Sequence, residues 1–184
     1  MNFTETEIKG CFIIEPTVFT DERGYFFESF REDQFQMQTG IPIHFVQSNQ
    51  SKSNYGVVRG LHMQLGEHSQ SKLVRVLSGK ILDIAVDIRI GSPTFGQHIA
   101  VELNSENYKQ LFIPKGFLHG YSVLSEDAIV LYQCDTYYHK ASDTGVYPLD
   151  SELNIDWKVP PEEMILSEKD SNASLFSKFV SQQL

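Results

Sequence analysis

Cysteine is scarce in this chain: Cys11 and Cys134 are the only two in 184 residues, and they share no spacing motif. That excludes a disulfide scaffold and a cysteine-ligated zinc site, and leaves two reduced thiols as the plain expectation. Long apolar runs are missing, and nothing approaches the roughly 18 residues that a membrane helix needs. The first residues, Met1-Asn2-Phe3-Thr4-Glu5, lack the basic start and apolar core of a cleaved signal, so the expected location is the cytoplasm. Positive charge is also short. Fifteen Lys and Arg against 24 Asp and Glu leave a net charge of -9, which argues against non-specific binding to nucleic acid or an anionic membrane. A small anion in a local basic pocket remains compatible with that balance. No repeat, low-complexity stretch or linker interrupts the chain, so residues 1–184 read as one domain. With 41% hydrophobic and 21% charged residues, a chain of this length can bury a core without staples.

What the chain does contain is strand-forming sequence. Val, Ile, Phe, Tyr and Thr recur in short runs broken by Gly, Pro, Asn and Ser. Gly10 to Phe19 reads as a strand, Asp21 to Gly24 as a turn and Tyr25 to Phe30 as a second strand. Glu32 to Thr39 reads as a helix that Gly40 ends. Lys72 to Ile90 reads as a hairpin about Ser78-Gly79. In its second half Leu82, Ile84, Val86 and Ile88 share one face, and Asp83, Ala85, Asp87 and Arg89 the other. The charged face is either solvated or lines a polar cavity. Strands are further expected at 44–48, 97–103, 109–113, 120–124 and 128–136, with a short helix within 167–179. The class is all-β, an antiparallel barrel or sandwich with few helices.

Two segments carry chemistry. Arg59-Gly60-Leu61-His62 sets a cation and a histidine around a Gly-Leu pair. Ile113-Pro114-Lys115-Gly116-Phe117-Leu118-His119-Gly120 is similar to the second motif of cupins, jelly-roll barrels in which this turn projects a histidine inward. A metal cupin normally adds a His-x-His pair and a glutamate. Here Met63 and Gln64 follow His62, and His68 lies six residues on, so a metal-free cavity is expected. Without a metal, His62 is a candidate general base. Its orienting carboxylate is Asp83, Asp87, Asp135 or Asp170, which spacing does not rank. Lys72 and Tyr132 are candidates for a cavity cation and a proton donor, and equally for a strand-edge lysine and a core tyrosine.

Eight segments in order, from Asp21-Glu22-Arg23-Gly24 and Phe45-Val46-Gln47-Ser48-Asn49 through Val58-Arg59-Gly60-Leu61-His62, Lys72-Leu73-Val74, Asp87-Ile88-Arg89, Ser92-Pro93-Thr94-Phe95-Gly96 and 113–120 to Leu166-Ser167-Glu168-Lys169-Asp170, resemble the dTDP-4-dehydrorhamnose 3,5-epimerases. The resemblance runs from about residue 3 to about residue 175. It implies a metal-free jelly-roll cupin, a homodimer with N-terminal strands in the interface, and a nucleotide-sugar substrate. It implies epimerisation at C3 and C5 of dTDP-4-dehydro-6-deoxy-D-glucose, with no redox cofactor. The chain accordingly carries no glycine-rich dinucleotide fingerprint. It also implies roles: His62 as base, Asp170 as its carboxylate, Lys72 facing the oxygen at C4, and Tyr132 returning a proton. Arg23 and Arg59 match diphosphate contacts, and Phe26 and Tyr138 match an aromatic pair around the base, with Arg23 and Phe26 reaching from the partner. Glu28, Gln47, Asn49 and Lys169 match polar positions around the nucleotide, and His119, with Asp83, a place near the sugar.

The chain departs from the family pattern at Met63, at Gln133-Cys134-Asp135-Thr136 before the paired Tyr137-Tyr138, and at Gly145-Val146-Tyr147-Pro148, which lacks an arginine common there. Besides a metal-dependent cupin enzyme such as a dioxygenase, which the missing His-x-His pair counts against, two rival readings stay open at this point. One is an epimerase acting at a single carbon, or on a related nucleotide deoxy-keto sugar. The other is a non-catalytic sugar-binding cupin, which has no need of an acid and a base.

Overall fold

The computed structural model describes residues 1–182. Its strands are β1 (Asn2–Glu5), β2 (Phe12–Glu15), β3 (Phe19–Asp21), β4 (Gly24–Phe26), β5 (Gln47–Asn54), β6 (Val58–Gln64), β7 (Lys72–Ser78), β8 (Lys80–Asp87), β9 (His98–Asn104), β10 (Gln110–Ile113), β11 (Phe117–Val123), β12 (Asp127–Cys134) and β13 (Asp143–Gly145). Helices α1 (Glu32–Thr39), α2 (Glu168–Ser171) and α3 (Phe176–Ser181) are short. Two antiparallel sheets face each other as a jelly roll. One runs β1-β2-β10-β7-β12-β5 and the other β13-β6-β11-β8-β9, while β3 and β4 form a separate hairpin. Among the described residues no helix is long and apolar enough to cross a membrane.

Three buried clusters explain the layering. Val74, Val76, Leu111, Ala128 and Val130 of the first sheet meet Ile81, Ala85, Ile99, Phe117 and Val123 of the second between the sheets. Leu82, Ile84, Val86 and Leu118 pack outward from the second sheet against Trp157, Leu153, Val146 and Phe176 of the C-terminal segment. Phe12, Ile14, Leu73 and Phe112 pack outward from the first sheet against Phe35 of α1. Sandwich sheets normally wet one face. Here β8 is buried on both, and Asp83 and Asp87 point inward with no exposed surface. The charged face of this strand is therefore not solvated.

α1 has the expected bounds, closed by Gly40 at φ 72°. The Lys72–Ile90 hairpin is not formed. β7 pairs with β10 and β12, and β8 with β11 and β9, so the Ser78-Gly79 turn crosses from one sheet to the other. Alternation shows which residues share a face, but not which strand lies alongside. The Gly10–Phe19 strand is two strands, parted at Pro16, which has no N–H to donate. Tyr25–Phe30 holds regular structure only to Phe26, and the segment expected within 44–48 becomes the longer β5. β1 and β13 were not anticipated, and 167–179 divides into α2 and α3.

Gly79 sits at φ 80°, and a Cβ there would lie 2.0 Å from the Asp127 carbonyl oxygen. Gly79→Ala is therefore expected to lower unfolding free energy by at least about 1 kcal/mol, read by urea denaturation. An unchanged midpoint would mean that the crossover relaxes freely.

Candidate active site

The cavity lies between the sheets, and a bulge decides what faces it. His119 of β11 pairs with His62 of β6 and Tyr121 with Arg59, so two residues, Gly60 and Leu61, oppose the single Gly120. Residues three apart on a regular strand face opposite ways. The extra residue reverses that parity, and Arg59 and His62 both point inward. Space permits it only with glycines, since a Cβ on Gly60 would lie 2.6 Å from the Gly120 Cα. Leu61 and Met63 turn outward into the core, which absorbs the Met63 departure as packing.

The cavity has a volume of about 300 Å³, and its walls come from both sheets. Arg59, His62, His119 and Tyr121 stand on one wall. Ser51, Lys72 and Tyr132 stand on the other, and Ser167, Lys169 and Asp170 lie at the rim. A second hollow of about 310 Å³ shares His62, Lys72, Tyr132 and Lys169 and adds Gln47, Asn49, Gln64, Tyr138 and Asp143. β5 is polar on both faces because Gln47, Asn49 and Ser51 line these hollows while Ser48, Gln50 and Lys52 are exposed, and this is why its length was not legible.

His62 Nε2 lies 2.5 Å from Asp170 Oδ1. Of the four carboxylates open to His62, geometry selects Asp170. Asp83 instead bonds His119, Asp87 bonds Arg89, Ser92 and Thr94, and Asp135 bonds the Ser71 amide. The Ser167 side chain caps α2 by accepting from the Asp170 amide, which fixes that carboxylate at the helix start. Burial pushes the Asp170 carboxyl up, but hydrogen bonds from His62, Ser167 and the Gly60 amide outweigh it and hold it below the usual carboxylate range.

Lys72 Nζ lies 3.5 Å from His119 Nδ1 and 6.0 Å from the Tyr132 ring centroid. Burial lowers the Lys72 pKa and raises that of Tyr132, which keeps the phenol protonated. Arg59 Nε donates to Ser53 Oγ at 2.9 Å, and no carboxylate among the described residues pairs with this guanidinium. Lys169 Nζ donates to Asp143 Oδ2 at 2.5 Å, and the Tyr138 hydroxyl donates to the same oxygen at 3.2 Å. Tyr138 lines the second hollow and Tyr137 does not. Asp143, Ser51, Tyr121 and Gln64 belong to the site but escaped sequence reasoning. Gln64, two residues from His62, was the only one with a positional hint.

Three expected residues lie outside both hollows. Arg23, Phe26 and Glu28 sit on or beside the β3–β4 hairpin. The Arg23 side chain is 86% exposed and paired to Asp21, and Phe26 is 69% exposed. The Gly145–Pro148 departure does not line the hollows either. Gly145 pairs with His62, and Val146 exchanges backbone hydrogen bonds with Leu61, so this stretch holds β6 from its open edge within the sheet. Both cysteines are buried, and burial pushes Cys11 to about 12 and Cys134 to about 11, so neither is a thiolate at neutral pH. Among the described residues no three His, Cys, Asp or Glu side chains are grouped to hold a metal ion.

A family model described as dTDP-4-dehydrorhamnose 3,5-epimerase matches residues 5–178. The chain belongs to the dTDP-4-dehydrorhamnose 3,5-epimerase family. An epimerase of that name from Shigella flexneri is 47% identical over 176 residues, 96% of each chain. The crystal structure of the dTDP-4-dehydrorhamnose 3,5-epimerase of Elizabethkingia anophelis is 53% identical, with TM-score 0.94 and 97% of each chain covered. The dTDP-6-deoxy-D-glucose-3,5-epimerase of Legionella pneumophila, solved with dTDP-4-keto-L-rhamnose, is 47% identical with TM-score 0.94. The match covers 100% of this chain and 96% of that one.

Burial holds the His119 pKa below the usual 6.5 despite the neighbouring Asp83. The unfolded chain therefore takes up a proton first as pH falls, and stability declines from about pH 6.5 downward. His98, also lowered by burial, adds in the same direction. Urea titrations against pH are expected to show a shallower decline near pH 6.5 in His119→Gln, where His98 is left as the histidine held low by burial. An equal slope would remove His119 as a cause.

Proposed function

We propose that the protein converts dTDP-4-dehydro-6-deoxy-D-glucose to dTDP-4-dehydro-L-rhamnose by inverting C3 and C5. The observation that carries this reading is the base couple His62–Asp170 facing Tyr132 across one cavity, with Lys72 beside the phenol. The C4 ketone makes the hydrogens on C3 and C5 acidic. With Asp170 on Nε2, His62 presents Nδ1 to remove a proton, and the carboxylate stabilises the imidazolium formed. The electron pair moves onto the C4 oxygen, where the Lys72 ammonium offsets the developing charge. Tyr132 then returns a proton from the opposite face, the carbon–hydrogen bond re-forms inverted, and the ketone is restored. The two acid–base groups come from different sheets, which suits an inversion.

Arg59, with Arg23, would bind the diphosphate through planar guanidinium forks. Gln47, Asn49, Lys169 and Tyr138 would hold the nucleoside, and His119 would lie near the sugar. In the same reading residues 1–184 act as one catalytic domain in a cytoplasmic homodimer. Arg23, Phe26 and Glu28 would then complete the partner's cavity. The exposed hairpin supports this, since Phe19, Tyr25 and Phe26 leave apolar surface uncovered in the single chain.

Incubation with dTDP-4-dehydro-6-deoxy-D-glucose in D₂O is expected to place deuterium at both C3 and C5. Label at one carbon would make it a monoepimerase, and none would overturn the reading. His62→Asn should abolish exchange and Tyr132→Phe should slow turnover, each by about 10²–10⁴-fold, with dTDP still bound. Loss of dTDP binding would instead make His62 structural. Chains carrying Phe26→Ala and chains carrying His62→Asn should each be poor alone and regain activity when refolded together, because the mixed dimer has one intact site. Absence of rescue would confine each site to a single chain.

A further inference from the structure

Asp83 is completely buried, and its Oδ2 has no hydrogen-bond partner among the described residues. A buried carboxylate oxygen without a partner is costly, so an acid at such a place calls for a reason beyond packing. The two polar side chains that share its space are engaged elsewhere. The Tyr121 hydroxyl lies 2.9 Å from Ser51 Oγ, and His119 bonds only the other oxygen of Asp83. That oxygen, Oδ1, lies 2.8 Å from His119 Nε2, and the second ring nitrogen, Nδ1, faces Lys72 Nζ at 3.5 Å.

These contacts have a direction. An ammonium only donates, so Nδ1 must accept from Lys72. The ring proton then sits on Nε2 and is donated to Asp83. The strand register builds the row: Asp83 lies opposite Tyr121 and Ala85 opposite His119, so Ala85 leaves room for the imidazole to lean toward the acid.

We propose that Asp83 is a positioning residue that locks His119 in its Nε2–H tautomer, so that the Nδ1 lone pair holds the Lys72 ammonium at the cavity floor where the C4 oxygen gains charge. This rests on the role given to Lys72 above. His119 is on this account a bracket for the lysine rather than a second base. Asp83 touches no substrate and acts through two intermediaries. The unpartnered Oδ2 leaves its negative charge undiluted by other donors.

The test has two parts. On the wild-type protein without substrate, ¹⁵N shifts of labelled histidines should show His119 as neutral Nε2–H. A neutral Nδ1–H ring or an imidazolium would overturn the proposal, and this reading does not depend on which sugar is turned over. In Asp83→Asn the volume is kept while the charge is lost. Its kcat should fall about 10²-fold, the size of losing one fixed oxyanion partner. Affinity for dTDP should be unchanged, and the His119 shifts should move away from the pure Nε2–H pattern. Unchanged kcat, or dTDP affinity falling in step with kcat, would mean that Asp83 is merely structural. If the variant does not fold, the wild-type tautomer decides. Absence of epimerase activity in the wild type would overturn the proposed function and leave the tautomer result readable.

Discussion

One irregularity in one strand pair governs the site. The β6–β11 ladder carries two residues against one at Gly60, Leu61 and Gly120, and the inversion of parity brings Arg59 and His62 to the same side. A regular ladder would send one of them into the outer core beside Trp157. The bulge depends on contact between glycine backbones, so no side chain can be added at either position without forcing the strands apart. A guanidinium and an imidazole are thereby set on the same rigid wall, facing one cavity.

Around that wall the barrel burns little polar material at random. Both faces of β8 and β11 are buried, the inner against the first sheet and the outer against the C-terminal segment. The inner acids are each tied to a cation or an imidazole: Asp83 to His119, Asp87 to Arg89 and Asp170 to His62. A charge buried without a partner is expensive, and pairing is the general remedy. Among the described residues, Arg59 and Lys72 of the first cavity have no carboxylate partner and bond Ser53 and His119 instead. A chain of net charge -9 thus keeps two basic side chains unpaired with acids in one cavity.

Local chemistry was legible and pairing was not. The α1 helix could be read because Gly40 terminates it with a left-handed residue, a cause contained within a few positions. The crossover at Ser78-Gly79 could not, because a hairpin and a sheet change use the same glycine turn and differ only in distant neighbours. β5 was cut short because Gln47 to Asn54 carries no apolar alternation when its inner face lines a polar hollow. The same distinction holds in the site. Residue types singled out His62, Lys72 and Tyr132 as candidates, while the choice among four aspartates needed a family resemblance or the folded structure. Asp143 gave no signal at all, lying in a segment that reads as loop.

The two histidine–carboxylate couples differ in how much chain they close. His119 and Asp83 are 36 residues apart, whereas His62 and Asp170 are separated by 108. Loop-closure entropy grows slowly with length, so the longer loop costs about 1 kcal/mol more to shut. Asp170 is also held by a four-residue helix close to the chain's end, while Asp83 lies in the middle of a central strand. Unwinding of that short helix would therefore free Asp170 without disturbing the central strand that carries Asp83. The His62–Asp170 contact can then be lost while the β-architecture, with His119 on Asp83, is still intact.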